Sequence, residues 1–168
     1  MSAKRQTESK GDVRSFAPAF SADVILSGAR HPRSDPVKAE RAVTAALAAE
    51  PDDLNVRLAA YRFYFYSHRF ADALPQADVI IRLAARRLNV AGDWDAVSRS
   101  DAPFDQLEEA PGLYLQALLA WGYCAVRIGQ REEGSRAIAK VAELDPGDRF
   151  GAGRLLDVID AHVLTEDE

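Results

Sequence analysis

Five of the six side chains in Tyr61-Arg62-Phe63-Tyr64-Phe65-Tyr66 are aromatic, and this run constrains the fold more than any other feature of the chain. The surrounding sequence reads as helix, with Leu54 and Leu58 one turn apart just upstream. Successive residues of an α-helix turn by about 100°. The rings therefore point around most of the helix, and one core-facing stripe cannot bury them all. Two arrangements are left. Either the helix is sandwiched on several sides, or part of its ring surface waits for a partner.

The rest of the chain is also helical in pattern. No segment alternates strictly between apolar and polar residues over strand length, and Asn-Gly and Asp-Gly hairpin signals are absent. Ser21 is placed to cap a short helix through Ala29, and His31-Pro32 breaks it. Ser34-Asp35-Pro36 is a strong start, a capping side chain followed by proline at the first helical position. The helix it opens, 36–49, carries Ala39, Val43, Ala46 and Leu47 on one face. Glu50-Pro51-Asp52-Asp53 closes it and caps the next, 53–67. A helix over 70–88 tolerates Pro75 in its second turn, where the missing N–H does less damage than at mid-helix. Helices over 113–128 and 131–144 follow, and Asp145-Pro146-Gly147-Asp148 leads into a last helix ending near 163. Residues 1–19 read as a flexible tail, 20–163 as one domain, and 164–168 as a short acidic tail. The stretch 89–112 is loop-like, rich in Gly, Asp, Ser and Pro around Trp94 and Phe104, and is expected to be either an ordered lid or a linker.

Charge and motif content narrow the function. A net charge of −5 disfavours nucleic acid, whose phosphates need a basic surface. No stretch approaches the roughly 18 apolar residues that span a membrane. The residues Met1 to Arg14 lack the apolar run of a secretory signal. The single Cys124 rules out an internal disulfide, and the expected location is the cytoplasm. His31, His68 and His162 lack the spacing of a helical metal site, and nucleotide-loop and nucleophile-elbow motifs are missing. Cys124 reads as a buried small hydrophobe, and Asp157 and Asp160 as a solvated face. Arg82, Arg86 and Arg87 read as a solvated basic face that could pair with the acidic insert. Neither an enzyme nor a cofactor is expected.

Internal similarity gives a more specific reading. Arg69-Phe70-Ala71-Asp72-Ala73-Leu74 parallels Gln130-Arg131-Glu132-Glu133-Gly134-Ser135, each after an apolar helix and a tight break at His68 or Gly129. Ala48-Ala49-Glu50-Pro51 parallels Glu143-Leu144-Asp145-Pro146. The pattern resembles the tetratricopeptide repeat, a 34-residue helix-turn-helix unit. From Leu115 to Asp148, Gly122 falls at the family's position 8, Gly129 at 15, Gly134 at 20 and Pro146 at 32. A degenerate repeat begins near Leu54, with Tyr61 at position 8, His68 in place of the turn glycine, Phe70 at 17 and Ala73 at 20. A partial repeat before it places Ala39 at 20 and Pro51 at 32, and Ala39 and Ala73 are 34 residues apart. The insert ahead of the last repeat departs from the contiguous family pattern.

The resemblance implies an all-α fold of antiparallel helix pairs, stacked as a short right-handed superhelix with a C-terminal capping helix. It implies a concave groove lined by the first helix of each pair. The groove positions are Asn55, Leu58, Arg62, Phe65 and Tyr66, then Gln116, Leu119, Tyr123, Val126 and Arg127, with Trp94 of the insert closing over them. Mixed apolar, aromatic and arginine residues are what protein interfaces favour. The family's carboxylate clamp, lysine at position 5 and asparagine at 9, is absent, because Leu58, Arg62, Leu119 and Tyr123 stand there. The function expected is an adaptor or assembly factor that holds a segment of another protein. The alternatives are a chaperone like the small acidic tetratricopeptide chaperones of type III secretion, and a structural homodimer.

Overall fold

The computed structural model describes residues 35–106 and 109–166. Six α-helices follow in chain order: α1 Pro36–Ala49, α2 Leu54–Tyr66, α3 Phe70–Leu88, α4 Glu109–Arg127, α5 Arg131–Leu144 and α6 Ala152–Glu166. No strand occurs among the described residues. Each helix packs against the next in sequence, so the fold is all-α.

The helix starts follow from short polar side chains. The Asp35 carboxylate accepts the Lys38 N–H at 3.1 Å with Pro36 at the first helical position, and the Asp53 carboxylate accepts the Val56 N–H at 2.9 Å. Two boundaries differ from expectation. Helix α4 begins at Glu109 rather than 113, because Pro111 falls within its first turn, where proline has no intrahelical bond to lose. Helix α6 continues through Glu166 and takes in part of the expected acidic tail. The helix expected at 21–29, the tail 1–19 and the terminal Asp167 and Glu168 lie outside the described residues.

Two turns are built alike. After α2, the His68 N–H donates to the Phe65 carbonyl and the Arg69 N–H to the Tyr64 carbonyl, with His68 at φ 57°. After α4, the Gly129 N–H donates to Val126 and the Gln130 N–H to Ala125, with Gly129 at φ 92°. In both, a left-handed residue lets the chain reverse while the last carbonyls of the helix stay bonded. The endings of α1 and α5 also match. Glu50 and Asp145 each donate their N–H to the carbonyl four residues back at 2.9 Å, and a proline follows each.

Helix α4 lies at the centre of the core and contributes eleven buried residues. It meets α5 at Gly122 and Gly134. A Cβ on Gly134 would stand 2.5 Å from the Gly122 carbonyl oxygen, and one on Gly122 would stand 2.8 Å from that of Gly134. The two backbones therefore touch at the two glycines. Helix α2 is sandwiched: Tyr61, Phe63, Tyr64 and Phe65 are all buried, and Tyr66 is half-buried. Helix α1 has no buried residue at all, although Ala39, Val43 and Leu47 pack partly onto the core.

Candidate partner-binding face

The ten groove positions on α2 and α4 do not all reach the surface. Leu58, Phe65 and Leu119 are buried, at 3%, 5% and 0% exposure, and belong to the core rather than to a face open to a partner. Spacing along one helix could not reveal this, because it depends on where the neighbouring helix lies. Val126 is half-buried with its Cγ2 turned toward Gly134 of α5, which directs it into the hairpin. Asn55 and Arg127 are exposed, and Arg62, Tyr66, Gln116 and Tyr123 are half-buried.

One set of these residues is brought together at the joint between the two hairpins. The Tyr123 ring lies 5.9 Å from Phe65 and 5.7 Å from Phe70, and Phe65 and Phe70 meet edge to face at 5.6 Å. Phe65 also stacks on Tyr61 at 5.4 Å and meets Tyr66 edge to face. The Arg127 guanidinium stands 4.4 Å over the Phe70 ring and donates to the Tyr123 hydroxyl at 2.7 Å. Edge-to-face rings and a cation over a ring are both favourable arrangements, so the joint ties α2, α3 and α4 together. Its central ring, Phe70, was seen in the sequence only as a repeat position. Its role depends on α4 coming alongside, which no local pattern records.

Burial sets the electrostatics. The Tyr61 phenol is held well above its ordinary value by burial first, then by the neighbouring Cys124 and Tyr66. Burial pushes the Cys124 thiol up to about 12, against the pull of Tyr61 and Arg127. Cys124 is therefore a neutral, enclosed thiol rather than a nucleophile. Half-burial raises Tyr66 and lowers Arg62, and each opposes the other's shift through its charge. On α4, Arg127 is exposed and holds the half-buried Tyr123, while on α2 Arg62 and Tyr66 are half-buried.

Trp94 is elsewhere. It begins a single 3-10 turn, Trp94–Ala96, and its ring lies 5.9 Å from Trp121, with Arg136 of α5 5.8 Å over it. Trp121 and Tyr123 are two residues apart on α4, about 200° around the helix. The expectation that Trp94 closes over the groove is therefore corrected: it covers the opposite side of α4. The described part of the insert, 89–106, is an ordered strap. Asp95 pairs with Arg136 at 2.5 Å, the Val97 carbonyl accepts from Lys140 at 3.1 Å, and the buried Phe104 ring packs on Tyr114. Arg149 donates to the carbonyls of Phe104, Asp105 and Gln106 while its Nε bonds the buried Asp145 carboxylate at 2.8 Å. Burial, with Asp93 adding to it, pushes the Tyr114 phenol up to about 12. Arg82, expected to pair with the insert, instead faces Asp78 on its own helix at 3.4 Å.

Among the described residues, no group of three or more His, Cys, Asp or Glu could hold a metal ion, and no helix is long and apolar enough to cross a membrane. No family model matches the chain, and no solved structure matches it significantly. Among curated proteins it is 38% identical over 127 residues to the uncharacterized 19.8 kDa protein in the nifW 5′ region of Azotobacter chroococcum mcd 1. The alignment covers 74% of this chain and 71% of that relative.

Proposed function

This chain belongs to the same family as the nifW-region protein of Azotobacter chroococcum, and from that premise we propose that it is a tetratricopeptide-like adaptor that binds a segment of another protein. The reading is supported by the two helix hairpins with matching turns, His68 and Gly129, and by the partial or full exposure of Arg62, Tyr66, Tyr123 and Arg127 on their first helices. Tyrosine and arginine are the residues on which interface energy concentrates. A binding role rather than an enzymatic one is supported by the position of the strongly shifted groups. Tyr61, Tyr114 and Cys124 are all closed inside the core, where no substrate reaches them. A cytoplasmic setting is proposed on the lone, buried thiol.

The relative is encoded in the region 5′ of nifW, so the product of that neighbouring gene is the first candidate partner. The test is co-purification with that candidate and with cell extract, comparing wild type, Arg62→Glu with Tyr66→Ala, and Arg82→Glu on α3. Loss of a stoichiometric partner in the first variant alone supports the face. Equal retention by all three rejects it.

Helix α1 favours a second reading. It buries no residue and leaves Val37 62% exposed, as a helix that packs on a second copy would. Sedimentation equilibrium decides: a mass of 18.4 kDa rejects the homodimer, and twice that supports it.

A further inference from the structure

Arg127 differs from the other exposed arginines that the structure pairs. Arg69 meets Glu40 and Asp72, Arg82 meets Asp78, and Arg136 meets Asp95. Arg127 has no carboxylate partner among the described residues. Its contacts are the Tyr123 hydroxyl, 2.7 Å from Nη1, and the Phe70 ring below its plane. The Phe70 ring is itself fixed by Phe65, Tyr123 and His68. The guanidinium is thus exposed, charged and held in place by a phenol and a ring that leave its charge uncompensated.

A free arginine side chain loses much rotamer freedom when it binds. Here that ordering is already done by the joint. One N–H of five is committed to Tyr123, which leaves a planar edge for a carboxylate, the ligand whose two oxygens match that fork. Resting on the adaptor reading above, we propose that Arg127 is the carboxylate receptor of the binding face. An Asp or Glu side chain of the partner segment docks on its outward edge, and an adjacent aromatic or aliphatic side chain covers Tyr66 and Tyr123. The partner segment is therefore acidic and apolar in alternation, although the chain that receives it carries a net charge of −5.

The experiment is an NMR titration of the full chain, following the Arg127 Nε–Hε signal. The probes are acetyl-Glu-Phe-Glu-amide and its uncharged twin, acetyl-Gln-Phe-Gln-amide. The acidic peptide is expected to move the signal saturably in the millimolar range and to bind about tenfold more weakly to Arg127→Gln. The twin should leave the signal in place. Tyr123→Phe keeps the ring and frees the guanidinium, and should weaken binding about threefold with the fold unchanged. Equal response to both peptides, or binding that survives Arg127→Gln, overturns the proposal. The two readings fail separately. A partner retained by Arg127→Gln but lost with Arg62→Glu and Tyr66→Ala removes the carboxylate receptor and leaves the face. A partner retained by both removes the face.

Discussion

Hairpin α2–α3 and hairpin α4–α5 share a turn and differ inside. Each reverses through one left-handed residue with the same pair of backbone bonds. Between its helices, α4–α5 sets Gly122 against Gly134, backbone on backbone. At the corresponding positions α2–α3 has Tyr61 and Ala73, both fully buried. Tyr61 does not widen its own hairpin to no purpose. Its ring stacks on Phe65, which meets Tyr123 of α4, so it takes part in joining the two hairpins. The lesson is that the same place in two like-built hairpins can either close a hairpin or attach it to the next. Only the first use demands glycine.

The largest effect expected from breaking this comparison is at Tyr61. Tyr61→Ala empties a fully buried ring site between α2 and α4 and should cost about 3–5 kcal/mol, by analogy with other buried aromatics. Denaturant unfolding gives the figure. The same variant should let a thiol reagent reach Cys124 in the native state, which wild type prevents, since burial holds that thiol near 12. Unchanged thiol protection would mean that Tyr61 is not what encloses it.

Next is Gly134→Ala. In an open helix this change gains about 1 kcal/mol. Here the new Cβ would stand 2.5 Å from a backbone oxygen and 2.8 Å from the Val126 backbone nitrogen, neither of which can swing aside. The sign should invert, to a loss of about 1–3 kcal/mol from overpacking. Ala73→Gly in the other hairpin should lose about 2 kcal/mol, the helix cost of glycine plus one buried methyl. A stabilised Gly134→Ala protein would mean that α4 and α5 do not touch there.

A smaller effect should come from the strap, which packs on α4 and α5. Arg149→Ala takes the guanidinium from the buried Asp145 carboxylate, which keeps the backbone N–H of residue 149, and from three strap carbonyls, and should cost about 1–2 kcal/mol. Blue-to-red movement of tryptophan emission would report Trp94 leaving Trp121. Emission that stays put while stability falls would place the loss at Asp145 alone.

The strap also shows where sequence reasoning stopped. Helix starts were legible at Asp35 and Asp53, because capping acts over three residues. The close contact of α4 and α5 was legible because Gly122, Gly129 and Gly134 mark a hairpin at fixed offsets. The strap's ties join residues 41 to 45 apart, Asp95 to Arg136 and Phe104 to Arg149, and its composition matches that of a loose loop. Of the expected groove residues, Arg62, Tyr66 and Tyr123 keep partial exposure and Arg127 is exposed, while Leu58, Phe65 and Leu119 are claimed by neighbours whose distance no spacing encodes.

The smallest effect is also the sharpest test of whether the two turns are equivalent. His68 holds φ 57°, a conformation in which side-chain-bearing residues pay about 1–2 kcal/mol and glycine does not. His68→Gly removes that strain. Against it stand the greater freedom of glycine in the unfolded chain, about 0.4–1 kcal/mol, and the edge contact of the His68 ring on Phe70, about 0.5 kcal/mol. The balance lies between a loss of about 0.5 and a gain of about 1 kcal/mol, by the difference of those figures. Gly129→His runs the other way. A Cβ there meets nothing within 4 Å, so only the backbone resists, and the loss should be about 1–2 kcal/mol. Thermal unfolding of the two variants measures both signs. If His68→Gly instead destabilises by more than about 1 kcal/mol, the histidine ring supports Phe70 and the joint through it. The turn of α2–α3 would then be an element of the proposed binding face, and the turn of α4–α5 would be a hinge of backbone alone.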